Sequence, residues 1–205
     1  GGIYSAAEDV GVSVADIAEA RKETTRVLGL KDGPEASGDP SPVTADGVYR
    51  STLAVARRLF KQDDLTGLTI AVQGVGHVGG YLADKLAGAG AKLVMTDVNA
   101  AVLAEVAART GAEVVAPDAI YDVQADIYAP CALGATLNPQ TLDRISAKAV
   151  VGAANNQLAT PEIGRVLFER GVLYAPDYVV NGGGIINVAA EMNARQTRGA
   201  FDPNW

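Results

Sequence analysis

The strongest chemical pattern in this sequence is a set of three glycines that directly follows a short apolar run. Residues 70–73 precede the segment 74–79, which has the form G-x-G-x-x-G and leads into a helical pattern. The first glycine of such a segment permits a tight turn, the second lets a phosphate approach the backbone, and the third lets the helix lie close to the strand. The N-terminus of the helix adds unpaired N–H groups and a partial positive charge. The segment is therefore predicted to bind the pyrophosphate of a dinucleotide, through Gly74, Val75, Gly76, His77, Val78 and Gly79.

An acidic residue at the end of the next apolar run indicates which dinucleotide the glycine segment binds. Asp97 lies 18 residues after Gly79, close to the spacing of about 20 at which an acid accepts hydrogen bonds from the adenosine ribose. An acid there would repel a 2′-phosphate, and no Arg follows at Val98 or Asn99. Asp97 and Val98 therefore favour NAD over NADP. The alternative is an ordinary strand–helix turn with a solvated acid.

Other polar positions follow later apolar runs. Asn155 and Asn156 offer donors and acceptors without charge, which suits a carboxamide or a ribose hydroxyl; alternatively the pair closes a loop as an Asx turn.

His77, the only histidine, is predicted to be a variable surface position rather than a catalyst. Cys131 has no other histidine to activate it, so we expect a buried, inert cysteine rather than a nucleophile. Asp9, beside Gly11, suggests a capping or turn residue, with a general base as the alternative.

The elements that position these residues alternate along the chain. Apolar runs separated by helical patterns indicate parallel βαβ units and an α/β, Rossmann-type doubly wound, mostly parallel sheet of about six strands with helices on both faces. The strands are predicted at 68–72, 91–96, 113–115, 126–129, 149–152 and 172–174, and the helices between them at 78–87, 101–109, 139–145 and 161–170.

The first 43 residues differ in pattern from the rest. Ser13 and Asp16 have the spacing of a capping box, and the helix that follows is predicted to end at Gly29. Residues 29–47 are rich in Gly and Pro, and a loop of that length is typically functional. Thr44 is predicted to cap the next helix, and a final helix is predicted over 187–197. The expected organisation is a linker helix and interdomain loop at 1–43 and a dinucleotide-binding domain at 44–205.

Composition excludes several classes of protein. The chain has 205 residues, 17 Lys plus Arg against 24 Asp plus Glu, and a formal charge of −7. This balance argues against a general nucleic-acid binder and against binding to an anionic membrane. No apolar run is long enough to span a membrane, no metal site is expected, and a single cysteine suits a reducing, cytoplasmic compartment.

Taken together, six segments make the sequence resemble the Glu/Leu/Phe/Val amino-acid dehydrogenase family, nearest its leucine, valine and phenylalanine branch. They are residues 7–11, 38–45, 73–80, 127–134, 152–158 and 174–188. The resemblance implies an NAD-dependent enzyme that reversibly deaminates an apolar L-amino acid to a 2-oxo acid and ammonia. It also implies that the complete enzyme is a homo-oligomer, whereas this chain alone is expected to be a monomer.

The resemblance assigns roles to individual positions. Asp9 matches the catalytic aspartate, in place of the capping role that its spacing suggests, and Thr44 matches a threonine near the nicotinamide carboxamide. Ala132 and Asn155 match cofactor contacts, and Asn156 matches a substrate contact. The aliphatic residues Ile185 and Val188 match the side-chain pocket, which favours an apolar substrate.

Two catalytic lysines of the family lie in a Gly-rich N-terminal domain that has no counterpart among these 205 residues. A C-terminal tail of the family is also without a counterpart. We therefore expect the chain to bind NAD and to turn over amino acids negligibly. Two other hypotheses remain open: a non-catalytic NAD-sensing module, which would not need Asp9, and a Cys131-dependent hydrolase.

Overall fold

The computed structural model describes residues 4–7, 11–197 and 199–203 and divides into two compact units. One unit comprises residues 44–182, and the other comprises 1–43 together with 183–205. The last 23 residues thus group with the N-terminal segment rather than with the sheet.

Residues 44–182 form a six-stranded, wholly parallel sheet, which confirms the predicted fold class. The strand order is β3-β2-β1-β4-β5-β6, so the order reverses between β1 and β4. The strands are β1 (Thr69–Gln73), β2 (Lys92–Thr96), β3 (Glu113–Val114), β4 (Ile127–Pro130), β5 (Ala149–Val150) and β6 (Leu173–Tyr174). The α-helices among the described residues are α1 (Val14–Ala20), α2 (Ser41–Val55), α3 (His77–Gly88), α4 (Ala100–Thr110), α5 (Pro161–Glu169), α6 (Asp177–Val180) and α7 (Gly183–Thr197).

Helices cover both faces of this sheet, and successive strand residues alternate between the two faces. Ile70 and Val72 of β1 lie in one buried cluster with residues of α2, α3 and α4. Ala71 and Tyr128 lie in a second cluster with Ile163 and Leu167 of α5. Because both faces are buried, the strands are continuous apolar runs, which is why the sequence reveals them.

The segment between β4 and β5 was predicted wrongly. Residues 139–145 form turns rather than a helix. The side-chain oxygen of Asn138 accepts hydrogen bonds from the N–H groups of Gln140 (3.0 Å) and Thr141 (3.1 Å), and the Thr141 hydroxyl donates to the carbonyl of Thr136. Local side-chain bonds to the backbone thus accompany the turns in this segment.

Helix boundaries near the N-terminus also differ from the predictions. The capping box of Ser13 and Asp16 is present, but α1 ends at Ala20 rather than at Gly29. Instead of helix, residue Val27 forms a parallel bridge with Ala6. Helix α2 begins at Ser41, whose N–H donates to Asp39 (2.8 Å). Thr44 therefore lies inside α2 and does not cap it.

The unit formed by 1–43 and 183–205 contains a buried carboxylate on α7, which begins at Gly183 rather than at 187. Glu191 is fully buried. It accepts hydrogen bonds from the N–H of Gly29 (2.7 Å) and from the hydroxyl of Ser37 (2.5 Å), and it pairs with Arg195. Arg195 also donates to the carbonyl of Val27 (2.6 Å). The Gly- and Pro-rich loop is thus attached to α7 by hydrogen bonds to the Glu191 carboxylate.

No helix among the described residues is both long enough and apolar enough to cross a membrane.

Candidate functional site

The candidate site lies at the carboxyl edge of the sheet, where the strand order reverses. Gln73, the last residue of β1, is in register with Thr96 of β2 and with Pro130 of β4. The residues that follow the three strands therefore emerge at the same level, which is where doubly wound sheets bind ligands. A cleft of about 100 Å³ opens there. It is lined by Gln73, Gly74, Thr96, Asp97, Val98, Pro117 and Ala132.

The three predicted glycines have different surroundings. Gly74 has φ +93°, and a Cβ there would lie 2.8 Å from Cβ of Ala132. A Cβ on Gly79 would overlap the carbonyl oxygen of Gly74, so α3 can begin close to β1 only with glycine at this position. A Cβ on Gly76 would meet nothing within 4 Å among the described residues. The space in front of Gly76 is therefore open to a ligand.

The N-terminus of α3 is available to an anion. Gly76 is its N-cap, and no side chain of the described residues caps the helix. Gly76 and His77 are exposed, whereas Val75 and Val78 pack in the core. The exposed backbone at 76–77 is thus the part of this segment that is suited to binding a phosphate. The two valines anchor the segment by packing in the core.

Asp97 fixes the conformation of the glycine segment. One carboxylate oxygen accepts the N–H of Val75 (2.7 Å), and the other accepts the N–H of Asn99 (2.8 Å). Asp97 is only partly buried, and the side chain of Val98 is 93% exposed. Each oxygen keeps a further acceptor position and Asp97 lines the cleft, which suits hydroxyl donors and disfavours a second anion.

A buried polar network beneath the cleft was not predicted from the sequence. The side-chain amide of Gln73 donates to the hydroxyl of Tyr121 (2.8 Å), and its oxygen accepts from the hydroxyl of Tyr128 (2.5 Å). Tyr128 is almost fully buried, and burial raises the pKa of its hydroxyl above the usual value of 10.0. Gln at the end of an apolar strand is the only sequence signal of this network.

The two asparagines differ in what they contact. Asn156 has φ +53°, donates its N–H to Asp177 (2.5 Å) and accepts from the N–H of Ala135 (2.7 Å) through its carbonyl. These backbone contacts close a loop. The side-chain oxygen of Asn155 accepts from the amide of Asn181 (2.6 Å). Asp177 and Asn181 thus support the pair, and neither was singled out from the sequence.

Cys131 and Ala132 follow β4. The N–H of Cys131 donates to the carbonyl of Gln73 (2.7 Å), and the side chain packs against the core. Burial raises the pKa of the Cys131 thiol to about 11. A thiol that stays protonated at neutral pH is a poor nucleophile, as expected for an inert cysteine. Ala132 lies against Gly74 and lines the cleft.

The structure does not place every predicted site residue in this cleft. Asp9 lies outside the described residues. Thr44 lies in the first turns of α2 and is partly buried. Ile185 and Val188 lie on α7 in the other unit, the first 71% exposed and the second buried. Their roles toward a substrate remain predictions.

The residues present at the cleft fit NAD. The open backbone at Gly76 and the uncapped start of α3 suit a pyrophosphate. The Asp97 carboxylate suits the hydroxyls of a ribose, and Val98 and Pro117 add apolar surface to the same cleft.

Three comparisons place the chain among known proteins. The family profile described as Glutamate/Leucine/Phenylalanine/Valine dehydrogenase matches residues 96–204. The leucine dehydrogenase of Thermoactinomyces intermedius is 50% identical over 191 residues, which are 93% of this chain and 52% of that protein. The phenylalanine dehydrogenase of Lysinibacillus sphaericus is 42% identical over 196 residues, 93% of this chain and 51% of that protein.

A solved structure supports the same grouping. The crystal structure of L-tryptophan dehydrogenase from Nostoc punctiforme matches with a TM-score of 0.77 and 37% identity, covering 92% of this chain and 54% of that one. The chain thus spans about half the length of the relatives it matches. By profile, sequence and structure, it belongs to the Glu/Leu/Phe/Val dehydrogenase family, alongside the leucine, phenylalanine and valine dehydrogenases.

Proposed function

We propose that this chain is the NAD-binding part of an L-amino-acid dehydrogenase that reversibly deaminates an apolar amino acid to a 2-oxo acid and ammonia. The observation that carries the proposal is the link between Asp97 and the glycine segment, in which the carboxylate holds the N–H of Val75. The Asp97 carboxylate, which we propose as the ribose acceptor, is thereby linked to the start of α3, and these are the two features that a dinucleotide requires. The names of the relatives support the class of reaction.

Each residue at the cleft has a proposed role. The N–H groups at Gly76 and His77 bind the pyrophosphate, and Asp97 binds the adenosine ribose. Val75 and Val78 hold the segment from the core, Gly74 and Gly79 permit its path, and Val98 covers the adenosine. Ala132, Asn155 and Thr44 contact the nicotinamide half. A bound NAD would supply the hydride chemistry of the reaction at the substrate α-carbon, in either direction.

The substrate residues are proposed from the family resemblance. Asp9 moves protons to and from the amino group and the attacking water, and Asn156 contacts the substrate. Ile185 and Val188 line an aliphatic pocket, which suits an apolar side chain. We expect negligible turnover by the 205 residues alone, because the family's two catalytic lysines have no counterpart among them. The longer enzyme is proposed to be a cytoplasmic homo-oligomer, and this chain alone a monomer.

Calorimetric titration of the purified chain with NADH and with NADPH tests the cofactor proposal. We expect NADH to bind and NADPH to bind at least about tenfold more weakly, because Asp97 repels a 2′-phosphate. Failure of both to bind would refute the proposed function, and a preference for NADPH would refute the role of Asp97. Robust NADH formation from leucine, valine or phenylalanine would contradict the expected lack of turnover.

A further inference from the structure

Arg144 lies outside the proposed cofactor site but makes an unusually complete set of contacts with a segment that borders it. This segment is the short 3₁₀ helix Pro117–Asp122. The Arg144 guanidinium donates to both oxygens of Asp122 (2.9 and 2.8 Å) and to both oxygens of Asp118 (2.9 and 3.0 Å). It also donates to the carbonyl of Asp118 (2.7 Å) and lies 5.4 Å from the ring centre of Tyr121. One side chain thus holds both ends of the segment.

The segment reaches the cleft by two routes. Its first residue, Pro117, lines the cleft together with Asp97 and Val98. Its fifth residue, Tyr121, accepts a hydrogen bond from Gln73, which lines the cleft at the end of β1 (2.8 Å). A displacement of the 3₁₀ helix would therefore move one wall of the cleft and release a side chain at its floor.

The contacts of Arg144 are better suited to ordering this segment than to stabilising the whole fold. The side chains of Asp118 and Asp122 are 83% and 61% exposed, and exposed ion pairs contribute little to global stability. A 3₁₀ helix of six residues is weak by itself, and no described side chain caps its N-terminus at Ala116. A planar group with five donors can fix such a segment in one conformation, which a single ammonium cannot do.

We propose that Arg144 is a positioning residue for the adenylate half of the cofactor, because it holds the Pro117 wall and, through Tyr121, the Gln73 floor of the cleft in the conformation that binds. The inference rests on the proposed function, since it takes the cleft beside Asp97 as the adenosine site. Ordering the wall before binding reduces the conformational entropy that the ligand must overcome. Arg144 therefore acts on the affinity for adenylates without touching the ligand.

The test compares two ligands on four proteins. Isotope-labelled wild-type chain and the variants Arg144→Met, Arg144→Lys and Asp118→Asn/Asp122→Asn are titrated with AMP and with nicotinamide mononucleotide by NMR, and circular dichroism confirms that each variant is folded. We expect about tenfold weaker AMP binding in Arg144→Met, and nearly as large a loss in Arg144→Lys. Binding of nicotinamide mononucleotide should change by less than about twofold. Amide hydrogen exchange over 117–122 should become faster in the same variants.

The double variant separates positioning from simple charge attraction. If Arg144 acted only as a positive charge near a phosphate, removal of two neighbouring negative charges would strengthen AMP binding, and Arg144→Lys would keep full affinity. Our inference predicts the opposite sign: AMP binding weakens in Asp118→Asn/Asp122→Asn because the forked contacts are lost.

Arg170→Met is the matched control. Arg170 holds the turn next to Arg144, through the carbonyl of Leu142 (3.2 Å) and the side chain of Asp143 (2.6 Å), and among the described residues it makes no hydrogen bond to the 3₁₀ helix. It should bind AMP as the wild type does. Unchanged AMP affinity in Arg144→Met, or an equal loss for both ligands, would overturn the inference while NADH binding by the wild type stands. Failure of the wild type to bind NADH would instead refute the proposed function, and the inference with it.

Discussion

At the scale of single residues, Gly74 and Gly76 serve different purposes although they belong to one pattern. Gly74→Ala places a Cβ 2.8 Å from Cβ of Ala132 at a φ of +93°, so we expect a loss of about 1–3 kcal/mol in the free energy of unfolding. Gly76→Ala meets no described atom within 4 Å and has an ordinary φ of −65°. It should keep its stability and lose NADH binding. Thermal unfolding and calorimetry on both variants check this, and equal destabilisation by the two would contradict it.

Cys131 provides a test of burial beside the site. Burial raises the pKa of its thiol to about 11, whereas the pKa of an ordinary cysteine is about 8.5. The rate of alkylation by iodoacetamide in the folded chain should therefore still rise about tenfold per pH unit between about pH 8 and 10, because thiolate remains a small fraction throughout. The denatured chain is the control, and its rate should level off above about pH 9. A folded-state rate that levels off there as well would show that the thiol is not shielded.

At the scale of elements, the sequence predicts the strands and helices that a local hydrophobic pattern determines. It misses the features that polar side-chain contacts determine. The runs around Ile70 and Ile127 are apolar on both faces, so strands were predictable to within about a residue. Residues 139–145, predicted as a helix, instead form turns in which Asn138 and Thr141 bond to nearby backbone groups. No periodicity distinguishes those side chains from ordinary polar residues on a helix.

The same limit applies to the site. The glycine segment and Asp97 follow from spacing alone, because a helix N-terminus and a nearby acid are local features of the chain. In the Gln73–Tyr121–Tyr128 network, Gln73 bonds to residues about 50 positions away in the sequence. Asn181 and Asn155 are likewise separated in the sequence by α5 and β6. Such contacts depend on how the strands are ordered in the sheet, which one sequence does not specify.

Helix α7 carries the element-scale prediction. Glu191→Ala leaves Arg195 without its buried partner and removes the acceptor for the N–H groups of Gly29 and Ser37. Removing one member of a buried ion pair typically costs about 3–5 kcal/mol. We expect amide exchange at Gly29 and Ser37 to speed up accordingly, as measured by NMR. The control is Glu23→Ala at an exposed position, and similar exchange in both variants would show that Glu191 does not hold the loop.

At the scale of the whole molecule, a chain with net charge −7 is proposed to bind a dinucleotide that is itself an anion. The residues that line the cleft include neither Lys nor Arg among those the structure describes. Attraction must then come from the backbone N–H groups at the start of α3, which act at hydrogen-bond distance, while the net charge acts at long range as repulsion. Salt screens the long-range part far more than the short-range part, since the Debye length at 0.1 M is about 10 Å.

The affinity for NADH should therefore stay constant or improve, by up to about threefold, when NaCl rises from 50 to 300 mM. A site that binds phosphate with exposed Lys or Arg would lose affinity over the same range.

The affinity for NADPH should rise more with salt than the affinity for NADH, because its 2′-phosphate would lie next to Asp97 and that repulsion is partly screened. The ratio of the NADPH dissociation constant to the NADH dissociation constant should consequently fall as the salt concentration rises. Calorimetric titrations at four salt concentrations measure this, with Asp97→Asn as the control in which the ratio is smaller from the start and varies less. A steep loss of NADH affinity with salt would mean that a cationic side chain, rather than the backbone of α3, binds the pyrophosphate.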